Sequence, residues 1–191
     1  MNKLALSLVL TSLVLGGISL PAQQKRAAST GGNSPHETTS TVIGDRRSGC
    51  RVTVTYGRPF VKERKIWGAA EDKALIPNGK AWRLGADEAT LLITQQPLAF
   101  GDTTIPAGAY TLYMVPDDKG GKLAFSSKLG AWGVPVDESH DVARVDLKKD
   151  TVEKPAEQLT IAIEKDQAGT GGAVKISWDT VQFSAPFTVK K

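Results

Sequence analysis

Arginine and aromatic side chains crowd two short stretches of this chain. The first runs Tyr56-Gly57-Arg58-Pro59-Phe60-Val61-Lys62-Glu63-Arg64-Lys65-Ile66-Trp67-Gly68, and the second Trp82-Arg83-Leu84-Gly85-Ala86-Asp87-Glu88-Ala89-Thr90. A guanidinium is a planar fork of donors that suits bidentate contact with a carboxylate or phosphate, and it stacks on aromatic rings. Arg58, Arg64 and Arg83 lie close in sequence to Tyr56, Trp67 and Trp82, which is the material for a cleft with cationic and aromatic walls. Two readings stand side by side. In one, these residues with Asp87 and Glu88 line a pocket for a small anionic or carbohydrate ligand. In the other, Arg58 and Arg83 pair with Asp87, Glu88 or Asp141 and pin a long connection to the fold, as buried charges require.

A second cluster, Asp137-Glu138-Ser139-His140-Asp141, is followed by Arg144. Its carboxylates suggest calcium, and its Ser, His and Asp suggest nucleophilic catalysis. Calcium takes roughly six to eight oxygens in a defined loop, and adjacent residues of an extended chain point apart instead of converging as a triad. The stretch reads as a solvated acidic loop, with Asp141 and Arg144 kept as candidate ligand contacts. No G-x-S-x-G elbow occurs in the chain. A carboxylate-dependent hydrolase using Asp87, Glu88 or Asp141 is the weakest reading. One cysteine and two histidines make a zinc site unexpected, and no cofactor is implied.

The elements that must position these residues are strands. From residue 39 onward the hydrophobic period is two: Cys50, Val52, Val54 and Tyr56 share one face, while Arg51, Thr53 and Thr55 take the other. Thr41-Val42-Ile43, before Gly44-Asp45-Arg46-Arg47-Ser48-Gly49, reads as the hairpin partner. Further strands are expected at 89–94, 98–100, 110–115, 122–126, 142–147, 158–164, 174–178 and 181–187, separated by Gly-, Pro- and Asp-rich turns. Only 69–75 is a candidate for a turn or two of helix. Many short strands with almost no helix predict an all-β fold, an antiparallel β-sandwich or a jelly-roll-like barrel. Cys50, alternating with Val52 and Val54, is expected in the core, as is Trp178 with Val174 and Ile176.

Composition bounds what such a domain can do. The 191 residues are 40% hydrophobic and 23% charged, with net charge +4. Residues 1–22 combine Lys3, an apolar run and a small residue before Gln23, the pattern of a secretory signal peptide; the run is broken by Ser, Thr and Gly and has no stop-transfer cluster. Residues 23–38 read as a flexible leader containing a solvated His36, and 39–191 as one β domain. A periplasmic or secreted location follows, with no transmembrane segment after cleavage. Residues 44–83 hold ten Lys or Arg against four acids, whereas 84–191 hold eleven against fifteen. That asymmetry draws anionic partners. No nucleic-acid partner is expected, since an exported protein rarely meets nucleic acid and no recognisable binding motif is present. A cell-envelope protein partner is the alternative to a small ligand.

The tyrosine-x-arginine-proline and tryptophan-arginine-x-glycine-alanine elements, with Ile105-Pro106-Ala107-Gly108-Ala109-Tyr110 and Asp141-Val142-Ala143-Arg144-Val145, resemble domain-of-unknown-function family 2911 from about Thr39 to Phe187. The resemblance implies an exported bacterial protein and supplies no catalytic residues. The family pattern favours Gly where this chain has Glu63 and Asn where it has Asp87.

Overall fold

Alternation of apolar and polar residues builds the first hairpin as expected. The computed structural model describes residues 34–190, and in it β1 (His36–Ile43) pairs antiparallel with β2 (Cys50–Gly57), from His36 opposite Gly57 to Ile43 opposite Cys50. The turn between them is tied by Asp45, whose carboxylate accepts from the Arg47 and Ser48 amides at 2.9 and 3.0 Å; those hydrogen bonds hold its pKa below the ordinary carboxylate value. Cys50, Val52, Val54 and Tyr56 are all buried on one face, and Cys50 is an unpaired thiol in the core.

Seven more strands extend the same sheet: β5 (Thr90–Thr94), β6 (Leu98–Phe100), β7 (Thr103–Ile105), β8 (Gly108–Pro116), β9 (Gly120–Ser126), β10 (Asp141–Lys165) and β11 (Gly171–Val189). Their order is β1-β2-β5-β8-β9-β10-β11-β6-β7. A short parallel pair, β3 (Trp67–Gly68) with β4 (Ile76–Pro77), stands apart. The chain is thus all-β and sandwich-like. It is not a closed barrel, which removes the jelly-roll-like alternative: β1 and β7 remain the two ends of the hydrogen-bonded order.

Three local expectations are corrected. The strands foreseen at 142–147 and 158–164 are one element, β10, and those at 174–178 and 181–187 are one element, β11. Between the two expected segments the backbone stays extended and absorbs the extra residues as register shifts between Thr151 and Ala156 and between Ala156 and Thr160. Residues 69–75 form no helix; they are the turn that brings β4 back beside β3. The leader is shorter than expected at its far end, since His36 already belongs to β1. The signal peptide foreseen over residues 1–22 lies outside the described residues. No helix among the described residues is long and apolar enough to cross a membrane.

The long hairpin folds the sheet over itself. Residues 141–148 of β10 pair with β9, whereas residues 148–165 pair with β11 and reach back over the first hairpin. There the Thr41 hydroxyl donates to the Ile163 carbonyl at 2.8 Å. A single core fills the fold. Phe100 packs against Phe125 and Phe187 at one end, and Trp67 packs edge-on against Trp178 and Phe183 at the other.

Among the described residues six non-glycine residues have left-handed backbone, and four of them, Lys62, Glu63, Leu84 and Asp87, fall in the two stretches rich in arginine. Glu63, at φ 58°, sits in the left-handed region that glycine adopts without strain. A side chain in this region costs about 1–2 kcal/mol, and the extra freedom of an unfolded glycine returns roughly half of that. Glu63→Gly is therefore expected to raise stability by about 0.5–1 kcal/mol, seen as a higher midpoint in urea unfolding with an unchanged slope.

Candidate functional site

Glycine at position 57 lets the two arginine-rich stretches meet. A Cβ on Gly57 would lie 2.1 Å from the Ala86 carbonyl oxygen, so only glycine allows residues 85–86 to cross the end of β2. Beyond Gly57, residues 59–61 run beside β10: the Val61 amide donates to the Glu157 carbonyl at 2.7 Å and the Leu159 amide to the Pro59 carbonyl at 2.9 Å. The chain then turns through Lys62 and Glu63. Arg64 is fixed to that turn, donating through Nε to the Val61 carbonyl at 3.0 Å and through Nη2 to the Phe60 carbonyl. Its guanidinium carbon lies 6.0 Å from the Trp178 ring centroid.

The second stretch is anchored by Trp82, whose backbone exchanges two hydrogen bonds with Met114 of β8, at 2.8 and 2.9 Å. The Trp82 indole stacks on Trp178 with centroids 5.7 Å apart and planes 20° apart, and Trp67 meets Trp82 edge-on at 5.7 Å. Trp67 is locked by its own Nε1, which donates to the Trp178 carbonyl at 3.0 Å. Arg83 donates through Nη1 to the carbonyls of Asp87 at 2.6 Å and Trp132 at 3.1 Å, and lies 5.5 Å from the Trp132 ring.

Between these stretches is a cavity of about 760 Å³. Phe60, Trp82 and Trp178 are its aromatic lining; Leu75 and residues 134–136 form an apolar side. Its charged lining residues are Lys62, Arg64 and Arg83, with no carboxylate among them. Among the described residues none of these three cations has a carboxylate within ion-pair distance, whereas Arg58, Lys65, Lys122, Lys128, Arg144, Lys148 and Lys175 all do. Three positive groups without an ion-pair partner on one concavity make an anion-attracting field; an acid close by is Glu157, whose carboxylate accepts from the Lys62 backbone amide at 3.1 Å.

The nine candidate residues divide into four groups. Arg64, Trp82 and Arg83 line the cavity. Tyr56 and Arg58 instead clasp β10: the buried Tyr56 hydroxyl accepts from the Ile161 amide at 2.8 Å, and Arg58 donates to the Leu159 carbonyl at 2.9 Å, to Thr160 Oγ1 at 3.0 Å and to the Glu37 carboxylate. Burial pushes the Tyr56 phenol above its ordinary pKa. Arg58 is thus held in a structural network, with Glu37 as its partner in place of the acids foreseen. Arg83 reaches Asp87 through a backbone carbonyl and not through the carboxylate.

Asp87 and Glu88 form the third group with His36, whose Nε2 lies 3.4 Å from Asp87 Oδ2 and 3.3 Å from Glu88 Oε2. His36 was expected to be solvated, but strand pairing with Gly57 draws it inward and leaves its side chain 18% exposed. Asp141 and Arg144 are the fourth group. Tyr113 donates to Asp141 Oδ2 at 2.6 Å, Arg144 Nε donates to the same oxygen at 2.6 Å, and Arg144 also pairs with Glu138. Burial, then the Asp141 hydrogen bond, pushes the Tyr113 hydroxyl far up. Asp87 with Glu88, and Asp141, therefore sit in separate networks that share no partner, and none of the three lines the cationic cavity.

The acidic stretch before Asp141 is a single turn of 3-10 helix, Glu138–His140, capped by Asp137. Ser139 donates to Asp137 at 2.6 Å and not to His140. The Lys128 ammonium, 2.7 Å from Asp137, and the Ser139 hydrogen bonds hold the Asp137 carboxyl well below the usual range. No group of three or more His, Cys, Asp or Glu among the described residues is arranged to hold a metal ion.

Sequence reasoning missed Lys62, Trp178 and residues 134–136 as cavity lining. Lys62 stood in the basic stretch and was the accessible clue. The others arrive from β11 and the segment before β10, far along the chain. No curated protein and no solved structure matches the chain. A family model described as "Protein of unknown function (DUF2911)" matches residues 34–187. That match takes in every strand of the sheet except its last two residues, and the protein belongs to the DUF2911 family.

Proposed function

We propose that this domain is a non-catalytic binding module that captures a small anionic molecule in the cavity between its two arginine-rich stretches. The observation that carries the reading is the convergence of Lys62, Arg64 and Arg83 on one concavity without a carboxylate. A neutral sugar would leave all three without counter-charge; a sugar acid, carboxylate or phosphate supplies it. Left-handed backbone at Lys62, a lining residue, supports the same reading, because strain of this kind persists where surrounding structure fixes a functional geometry. The signal-like N-terminal sequence supports a periplasmic or secreted setting for it.

The test is thermal unfolding of the chain at low ionic strength with phosphate, glucuronate and dicarboxylates, for the parent and for Lys62→Ala and Arg64→Ala. An anion at about 100 times its Kd stabilises by about 2.7 kcal/mol, a shift of roughly 5 to 10 °C for a chain of this size. The shift is expected to shrink as salt is added and to disappear in Arg64→Ala. A shift that survives both substitutions, or none from any anion, would remove this cavity as the site.

A further inference from the structure

We infer that the anion taken by the cavity is amphipathic: a carboxylate or phosphate head joined to a short hydrocarbon body. The inference rests on the anion-binding reading and adds to it the chemistry of the cavity's other side. Six large hydrophobic residues are exposed among the described residues, and three of them gather here. Leu75, 46% exposed, and Val134, 62% exposed, line the cavity itself, and Trp132, 55% exposed, lies against the Arg83 guanidinium. Pro135 continues the apolar side.

A site for a fully hydrated anion, such as a sugar acid or free phosphate, gains nothing from exposed Leu and Val beside its cations. An anion with a hydrocarbon body covers them. The head is then met by Lys62, Arg64 and the part of Arg83 not engaged with carbonyls, while the body removes the Leu75 and Val134 side chains from water. A cavity of about 760 Å³ falls within the ordinary range for small-molecule sites, and such sites are mostly apolar with a few placed polar groups.

The experiment is isothermal titration of the chain with acetate, butyrate, hexanoate and octanoate, with phosphate against octyl phosphate, and with octanol as the uncharged control. Each buried methylene is worth about a fourfold gain in affinity. Octanoate is expected to bind at least roughly thirtyfold tighter than butyrate, octyl phosphate to exceed phosphate by a similar factor, and octanol to show no binding. The double variant Leu75→Ser with Val134→Ser alters exposed side chains only. It is expected to bring octanoate to within about threefold of butyrate and to weaken octanoate far more than phosphate. Equal affinity of butyrate and octanoate, or a steep series that survives the double variant, would overturn the inference and leave the anion site standing. Octanol binding as tightly as octanoate, or no binding by any anion, would overturn both.

Discussion

An Arg58→Ala variant is expected to unfold roughly 5 to 10 °C below the parent, since a loss of about 2–3 kcal/mol corresponds to that shift in a chain of this length. Arg58 is the most heavily bonded cation of the first arginine-rich stretch. Its three nitrogens reach the Leu159 carbonyl, the Thr160 hydroxyl and the Glu37 carboxylate, so one guanidinium joins β1, β2 and β10. Alanine leaves a carbonyl and a carboxylate without their donor. Glu37 is partly exposed and regains water, which keeps the loss below that of a fully buried pair. Arg58→Lys retains the charge without the fork and is expected to recover less than half of the shift. Circular dichroism melts of the three proteins decide the matter: an Arg58→Ala protein that melts with the parent would mean that the clasp contributes nothing. The contrast with Arg64→Ala is the informative one, because there the expected loss is of anion binding.

Trp178→Ala is expected to be more damaging still, about 3–5 kcal/mol, which lowers the melting temperature by roughly 6 to 20 °C. Trp178 is 1% exposed, carries Trp82 on one face and meets Trp67 edge-on at 6.4 Å. Its removal opens space behind the cationic cavity and frees both partner indoles. Trp178→Phe separates packing from polarity. The indole Nε1 is buried with no hydrogen-bond partner, so deleting it relieves an unsatisfied donor while a ring is kept. Phe is accordingly expected to cost less than half of what Ala costs. A Phe variant as unstable as the Ala variant would show that the six-membered ring alone cannot support Trp82.

How much of this was legible beforehand follows from the range of the interactions. Strands such as β2 declare themselves through alternation, because Cys50, Val52, Val54 and Tyr56 carry their burial in a local period. The continuity of β10 across Lys148 to Pro155 did not, because charged residues and proline in a strand are read as a turn unless a bulge accommodates them. The same limit applied at the site. Arg64, Trp82 and Arg83 stand out because arginine beside tryptophan is chemically conspicuous, and all three line the cavity. Tyr56 and Arg58 look identical in sequence, and only the approach of residues 159–161 turns them from ligand contacts into a clasp. His36 was misplaced for a related reason: polar and near proline, it has no local signal that Gly57 will pair with it.

The clasp also dictates how the molecule must fold. Thr41, Tyr56 and Arg58 bond to partners 122, 105 and 101 positions further along the chain. Closing loops of that length before any contact rewards the loss of chain entropy is slow, and β-rich topologies of this kind reach the native state in about milliseconds to seconds. The first hairpin can form early from its own turn and can pair Arg58 with Glu37, but until residues 159–163 arrive the Thr41 hydroxyl and the Arg58 Nε lack the carbonyls they meet in the fold. Chains ending short of residue 157 are therefore expected to lack the closing step, whatever the quality of their local sequence.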